Sequence, residues 1–414
     1  MKKPELLAPA GSVDKAKIAF MYGADAVYAG TSKLSLRSRA EMNSDTLEET
    51  ITYAHSINKK VYVAMNIYAM DVDYDEIDIE VKRLNKLNVD GIIASDVGVI
   101  ERIKSITNTI DIHLSTQANT VSLASALFWY KYGIKRIVLA RELSYEKIKY
   151  IMDNKPKDLE IETFIHGAIC FAYSGRCYLS KYLADRCANL GDCAQPCRWN
   201  YNLKAVEVNS KKEIDIDYDE RGTYLFSSKD LCLIKQLPNI IDMGVDSLKI
   251  EGRLKTDYYL ATIVRAYRLA IDDTYKLMND NTIYKYDYTK YLSDILKVKT
   301  RGLSEFYFTD DTNTDIHDFT GQSDNLNYEY AGKVITKLND NIYTVEIKNK
   351  LSIGDKLDVL YPDKIDIYDF NITKLYDIKN NNEIVTINPG VKGQLVNMYI
   401  PYDVELNYIL RRKK

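Results

Sequence analysis

Nowhere in its 414 residues does this chain hold the run of about 18 apolar residues that a membrane-crossing helix needs. No membrane association is therefore expected. The opening "MKKPELLAPAGS" has two lysines but only a five-residue apolar stretch, broken by proline. That stretch is too short for a signal-peptide core and reads as a first β-strand, so the expected compartment is the reducing cytoplasm. An excess of charge of either sign is also missing: the net charge is −3 and the isoelectric point is near 6.0. Any nucleic-acid contact must use a local patch, such as "KNK" (Lys348 to Lys350) or the terminal "LRRKK" (Leu410 to Lys414).

Several chemical signatures are absent as well. There is no H-E-x-x-H and no G-x-S-x-G, so the usual metalloprotease and serine-hydrolase arrangements are not present. No G-x-G-x-x-G follows the first strand, which argues against a doubly wound dinucleotide fold. C-x-x-C pairs are missing, which removes zinc knuckles and thioredoxin-like redox motifs. A C-x3-C-x2-C radical-cofactor pattern starts at Cys193 and Cys197 but fails at Asn200.

What is present begins with an alternation. Eight strand candidates recur over residues 1–255: "ELLAPAG", "ADAVYAG", "KVYVAMN", "DGIIASD", "IDIHLSTQAN", "RIVLARE", "IETFIHGA" and "DSLKIEGR". Amphipathic stretches of helix length, such as "VDKAKIAFMYG" and "DEIDIEVKRLNKLN", lie between them. Eight such units predict a parallel α/β fold closed into a (β/α)8 TIM-like barrel. A helical bridge is expected over 256–325. Period-two patterning with turn signals over 326–414 predicts a small C-terminal all-β barrel domain.

The predicted strands end in residues that a core would not choose: Asn66, Asp96, Gln117 and Asn119, Arg141 and Glu142, His166, Glu251 and Arg253. In a closed barrel all these ends meet on one face, which is where such barrels place their active sites. The set therefore predicts a polar pocket.

Five of the six cysteines fall in the loop after the seventh strand, with spacing C-x6-C-x9-C-x5-C-x3-C from Cys170 to Cys197; Cys232 follows. In a reducing compartment such clustering suits metal binding or catalysis better than disulfides. Four thiolates brought together from loops suit a 4Fe–4S cluster, while buried free cysteines are the alternative.

The stretches "ETFIHGAICFAYSGRCYLS", "NLGDCAQPCRWNY", "SSKDLCLI" and "GVDSLKIEGRLK" resemble the peptidase U32, or collagenase-like protease, family. So do the opening "PELLAPAGSVDKAKIAFMYGADAVYAG" and, near the end, "EYAGKV" and "IGDKLDVLYP". Despite the family name, the resemblance implies O2-independent hydroxylation with an iron–sulfur cluster. The similarity in length and C-terminal domain is to the branch that forms 5-hydroxyuridine at the tRNA wobble position with prephenate. It implies cluster ligands at Cys170, Cys177, Cys193 and Cys232, with Cys197 competing for the fourth place and Cys187 incidental. It also implies tRNA as partner, a paralogous U32 subunit in some organisms, and an electron donor that the sequence does not identify. Peptidase activity, or hydroxylation of another RNA base, is the competing expectation.

Within that reading His166, Glu142 and Glu251 are the candidate catalytic groups. Arg141 and Arg253, with Arg37 and Arg39 behind them, are candidates for binding a dicarboxylate through guanidinium forks. Asn66 and Gln117 complete the candidate substrate pocket. His55, His113 and His317 have weaker claims, and His113 is expected to be structural because it lies mid-strand. RNA contact is expected from the β domain, its basic tail and some of the 34 tyrosines.

Overall fold

A computed structural model describes residues 2–31, 34–35, 41–170, 172–173, 177–188, 192–199, 201, 204–206, 213–215, 228–309, 327–339, 341–390 and 393–414. Its contacts group into two units. Met1–Val13, Asp25–Leu254 and Thr300–Asp324 form the first; Asp14–Ala24, Lys255–Lys299 and Asn325–Lys414 form the second.

The first unit contains strands β1 (Glu5–Pro9), β2 (Ala26–Thr31), β3 (Lys60–Ala64), β4 (Gly91–Ala94), β5 (Ile112–Leu114), β6 (Arg136–Val138), β7 (Glu160–Ala168), β8 (Asp230–Cys232) and β9 (Ser247–Ile250). Parallel pairing runs from β9 through β1 to β7, leaving out β8, and β7 pairs back to β9. Eight parallel strands thus close, as the alternation in the sequence predicts. The strands are buried on both faces (β2 throughout its length), which explains their near-continuous apolar runs. The intervening helices bury one stripe. In Tyr74–Lys86 it is Ile77, Val81 and Leu84, at helical spacing. Asp96 caps the helix Val97–Ile106 by accepting from the Val99 N–H at 3.1 Å, so it serves as a helix cap and not as a pocket residue.

Charge fills part of the barrel interior. Arg136 contacts Glu5 at 2.6 Å, Glu160 at 2.7 Å and Glu162 at 3.4 Å, and Lys249 contacts Glu162 at 2.8 Å. The Tyr62 hydroxyl donates to Glu5 at 2.7 Å. Buried charges persist only when paired in this way. His113 lies beside the Tyr62 ring at 4.5 Å. Burial, with Arg136 and Lys249 nearby, pushes its pKa well below the ordinary range and keeps it neutral.

Strand β7 outlasts β6. Beyond the β6 pairing, β8 runs antiparallel along β7 with Ala168, Gly167 and His166 opposite Asp230, Leu231 and Cys232. On its other side the β9 register shifts between Lys249 and Ile250, which re-aims the residues that follow. Gly167 has φ +110°, and a Cβ there would fall 2.3 Å from the Glu251 carbonyl oxygen. Both partners are backbone and neither can yield. Gly167→Ala is therefore expected to destabilise the protein by about 1–3 kcal/mol through strain and clash; thermal unfolding of the purified variant checks this.

The second unit combines the helices Asp257–Asn279 and Thr289–Ile295 with an antiparallel all-β domain. Its strands are β10 (Tyr328–Asn339), β11 (Ile342–Ile347), β12 (Lys356–Leu360), β13 (Tyr368–Asn371), β14 (Leu375–Asp377), β15 (Gln394–Tyr399) and β16 (Ile409–Lys413). They pair in the order β13-β12-β16-β10-β11-β15-β14. Val334, Val345, Leu357, Val359, Val396 and Leu410 are among the residues filling its core.

This unit corrects the expectation for the basic tail. Arg411 is fully buried; it binds Asp294 at 2.8 Å and Asp358 at 2.6 Å. Arg412 pairs with Glu329 and Asp355. Lys414 lies 3.7 Å from Glu329. β16 is an interior strand of the sheet, and three of the tail's four cations pair with carboxylates of this unit, so the tail is not an unpaired RNA-facing patch.

Candidate functional site

The strand ends open on a solvent-connected cavity. Its wall includes Asn66, Gln117, Arg141, Glu251 and Arg253 from the predicted strand ends, and Cys170, Cys177 and Cys193 from the loop after β7. Residues far apart in sequence therefore share one chamber, as closure of the barrel requires.

Each is held by its own neighbours. Arg253 is 5 % exposed; its Nη1 donates to Ser35 Oγ at 3.1 Å, and its guanidinium lies 5.7 Å from the Tyr28 ring centre. Gly30 of β2 makes this possible, because a Cβ there would lie 2.6 Å from that same nitrogen. Arg141 donates to the Ala168 carbonyl at 3.0 Å and lies over the Phe164 ring. The Tyr28 hydroxyl donates to Glu251 Oε2 at 2.8 Å and contacts the Ile250 carbonyl, fixing the carboxylate against β2. Asn66 Nδ2 donates to Gln117 Oε1, and Ser115 Oγ donates to the same oxygen at 3.2 Å.

The cysteine loop is pinned internally. Ser180, in the short helix Leu179–Ala184, accepts from the Ala194 N–H at 2.8 Å. Cys193 Sγ accepts from the Gln195 N–H at 3.4 Å, and Arg186 donates to Asp192 at 2.8 Å. These contacts bring a fourth thiol, Cys197, onto the cavity wall with Cys170, Cys177 and Cys193. Burial raises the Cys197 pKa, Arg198 opposes, and the other three thiols push it further up, as expected for sulfurs that feel one another's charge.

Other candidates are placed elsewhere. Cys232 is 5 % exposed on β8, opposite His166, and is not among the residues lining the cavity; Cys197 is. Cys232 is held on β8, which is laid antiparallel along β7. His166 is 1 % exposed within β7 and does not line the cavity. Nor does Glu142, whose neighbour Arg141 does, because consecutive side chains leave the backbone in different directions. Cys187 is also off the wall. His55 sits on the surface with Asp90 at 3.0 Å. Asn119 adopts a left-handed turn (φ 51°) and bonds the Gln117 carbonyl. Arg37, Arg39 and His317 lie outside the described residues.

Lys249 and Tyr28, both mid-strand, are among the cavity residues that escaped the strand-end reading. The available signal was a lysine inside the apolar run "DSLKI". Among the described lining residues are three cations, Arg141, Lys249 and Arg253, the carboxylate of Glu251 and four thiols. Guanidinium and ammonium groups can bind a small acid, and thiolates are soft metal donors.

No three of the described His, Cys, Asp and Glu side chains are grouped as ligands of a single metal ion. Cys170, Cys177, Cys193 and Cys197 share the cavity wall, and thiolates are the donor type that an iron–sulfur cluster takes. Among the described residues no helix is long and apolar enough to cross a membrane.

Comparison with known proteins agrees with the barrel and the β domain. The sequence profile of peptidase family U32 matches residues 11–318, and that of the peptidase family U32 C-terminal domain matches residues 326–411. The chain is 35% identical to the "tRNA hydroxylation protein P" of Escherichia coli, over 99% of this chain and 96% of that protein. It is 36% identical to the "tRNA hydroxylation protein P1" of Bacillus subtilis, over 92% and 89%. It is 31% identical to a "Collagenase" of Porphyromonas gingivalis, over 95% and 94%. With the barrel and C-terminal domain both matched, this chain belongs to peptidase family U32.

Proposed function

We propose that this protein hydroxylates a base in RNA, specifically uridine at the tRNA wobble position, giving 5-hydroxyuridine with prephenate as co-substrate. The observation that carries this reading is the convergence of Cys170, Cys177, Cys193 and Cys197 on the cavity that also holds Arg141 and Arg253. The relatives named for tRNA hydroxylation, which match the chain nearly end to end, support the choice of RNA.

In this reading the four thiols would hold an iron–sulfur cluster, which with all four ligands in place would supply electron transfer. Arg253 and Arg141 bind a carboxylate of the acid. Both guanidiniums are restrained by ring and hydrogen-bond contacts, so little side-chain freedom is lost on binding. Glu251, anchored by Tyr28, is placed to accept or return a proton at the mouth.

Arg253→Lys keeps the charge but loses the fork. It is expected to raise the KM for a dicarboxylate co-substrate about tenfold, which steady-state kinetics of RNA hydroxylation would measure. The function itself is tested by mass spectrometry of tRNA nucleosides from a strain lacking the protein. Loss of 5-hydroxyuridine and its derivatives supports the proposal; an unchanged profile refutes it. The collagenase relative gives a second reading, peptidase activity, which gelatin cleavage by iron-free protein would favour.

A further inference from the structure

The cavity wall holds polar hydrogens that find no acceptor among the described residues. Lys249 is 5 % exposed, and its ammonium carries three N–H donors. One donates to Glu162 Oε1 at 2.8 Å. The Tyr28 and Phe164 ring centres lie 4.5 and 5.5 Å away, and Lys249 has no second acceptor among the described residues. Gln117 presents a similar case three pairings round the barrel, just past β5. Its side-chain oxygen is occupied by Asn66 and Ser115, which turns the amide nitrogen the other way. That Nε2 is buried and unpartnered among the described residues. Both side chains line the cavity. Buried donors are normally satisfied, and an unpartnered amide nitrogen on the same chamber wall as an ammonium with a single acceptor among the described residues indicates a ligand rich in acceptors.

Charge narrows the class. Lys249 and Arg136 supply two positive charges, and Glu5, Glu160 and Glu162 supply three negative ones within the same contact network. Such a network does not favour a phosphate dianion. A carboxylate carries a single charge and accepts several hydrogen bonds on two oxygens, which suits one ammonium and one amide. An RNA phosphodiester would have to carry two sugars past the cysteine loop and into the barrel.

We propose that Lys249 and Gln117 form a carboxylate-binding subsite inside the barrel, separate from the arginines, and that it takes one acid group of a small organic acid. Glu162 is its positioning residue, aiming the ammonium into the chamber. The proposal rests on the reading of this cavity as the co-substrate chamber, and it adds Lys249 and Glu162 to the residues that determine which acid enters.

The test follows thermal unfolding of the purified full chain with acetate, pyruvate, malonate, succinate, inorganic phosphate or a short RNA, against chloride at equal ionic strength. A saturable rise in Tm with at least one carboxylate is expected. Gln117→Glu, which places a negative charge at the subsite, is expected to weaken that response at least tenfold. So is the pair Lys249→Met with Glu162→Gln, which removes both partners and keeps the charge balance. Should the double variant not fold, Gln117→Glu and Gln117→Met carry the test. Unchanged carboxylate affinity in the folded variants, no response to any carboxylate, or tighter binding of phosphate or RNA that these variants abolish would each overturn the proposal. The measurement needs neither iron nor hydroxylation. Its failure therefore leaves the cysteine reading standing, and an unaltered tRNA profile leaves the subsite standing.

Discussion

Asp294→Asn is expected to destabilise the second unit by about 3–5 kcal/mol, because it leaves buried arginines without their shared counter-ion. Asp294 is fully buried and contacts Arg265, Arg411 at 2.8 Å and Lys297 at 3.4 Å. Arg265 and Arg411 are also fully buried. Burial opposes ionisation of Asp294, but Arg265, Arg411 and Lys297 outweigh it and hold the pKa down to about 2. A carboxyl whose folded pKa is depressed contributes stability that is complete above its unfolded pKa and is lost as pH falls through the folded one. The window here is from about pH 4 down to about 2. Thermal unfolding across pH 7 to about 2.5 is expected to show the wild-type midpoint falling in that window, with a shallower fall in Asp294→Asn from a lower starting point. Equal midpoints at pH 7 would show that the network contributes nothing.

The second large effect concerns the thiols. Cys193→Ala is expected to lower bound iron and sulfide at least tenfold in anaerobically purified protein, together with the visible absorption of the cluster. Loss of a direct ligand should exceed the roughly 10–100-fold cost of losing an outer-shell partner. The more discriminating comparison is Cys197→Ala against Cys232→Ala. Because Cys197 lies on the cavity wall with the other three thiols, its removal is expected to deplete iron while Cys232→Ala retains most of it. The reverse result would mean that β8 supplies the fourth ligand and that the cavity wall misidentifies it. Cys187→Ala is a control for a cysteine off that wall.

Much of the fold was legible in the sequence, because a β/α alternation changes hydrophobic period at every element and eight repeats leave few closures. The site was legible only in part. Polar residues at strand ends marked the mouth, and Asn66, Gln117, Arg141, Glu251 and Arg253 do meet there. But fully buried strands read as continuous apolar runs and hide which side chains face inward. Arg141 and Glu142 are adjacent, and only the first reaches the cavity; Lys249 and Tyr28 reach it from mid-strand positions that the strand-end rule does not cover. The tail failed as an RNA patch for a related reason. The partners of Arg411, at positions 294 and 358, are too distant in sequence for any local pattern to reveal. That Cys197 lines the cavity and Cys232 does not is likewise something that spacing alone does not determine.

The central claim is that the thiol-lined cavity is where RNA becomes hydroxylated. The most direct test supplies a strain lacking this protein with either the wild-type chain or Cys193→Ala, then quantifies 5-hydroxyuridine in its tRNA by mass spectrometry. Restoration by the wild type and none by Cys193→Ala, at matched protein levels, is the predicted result. Equal restoration by both would contradict the account.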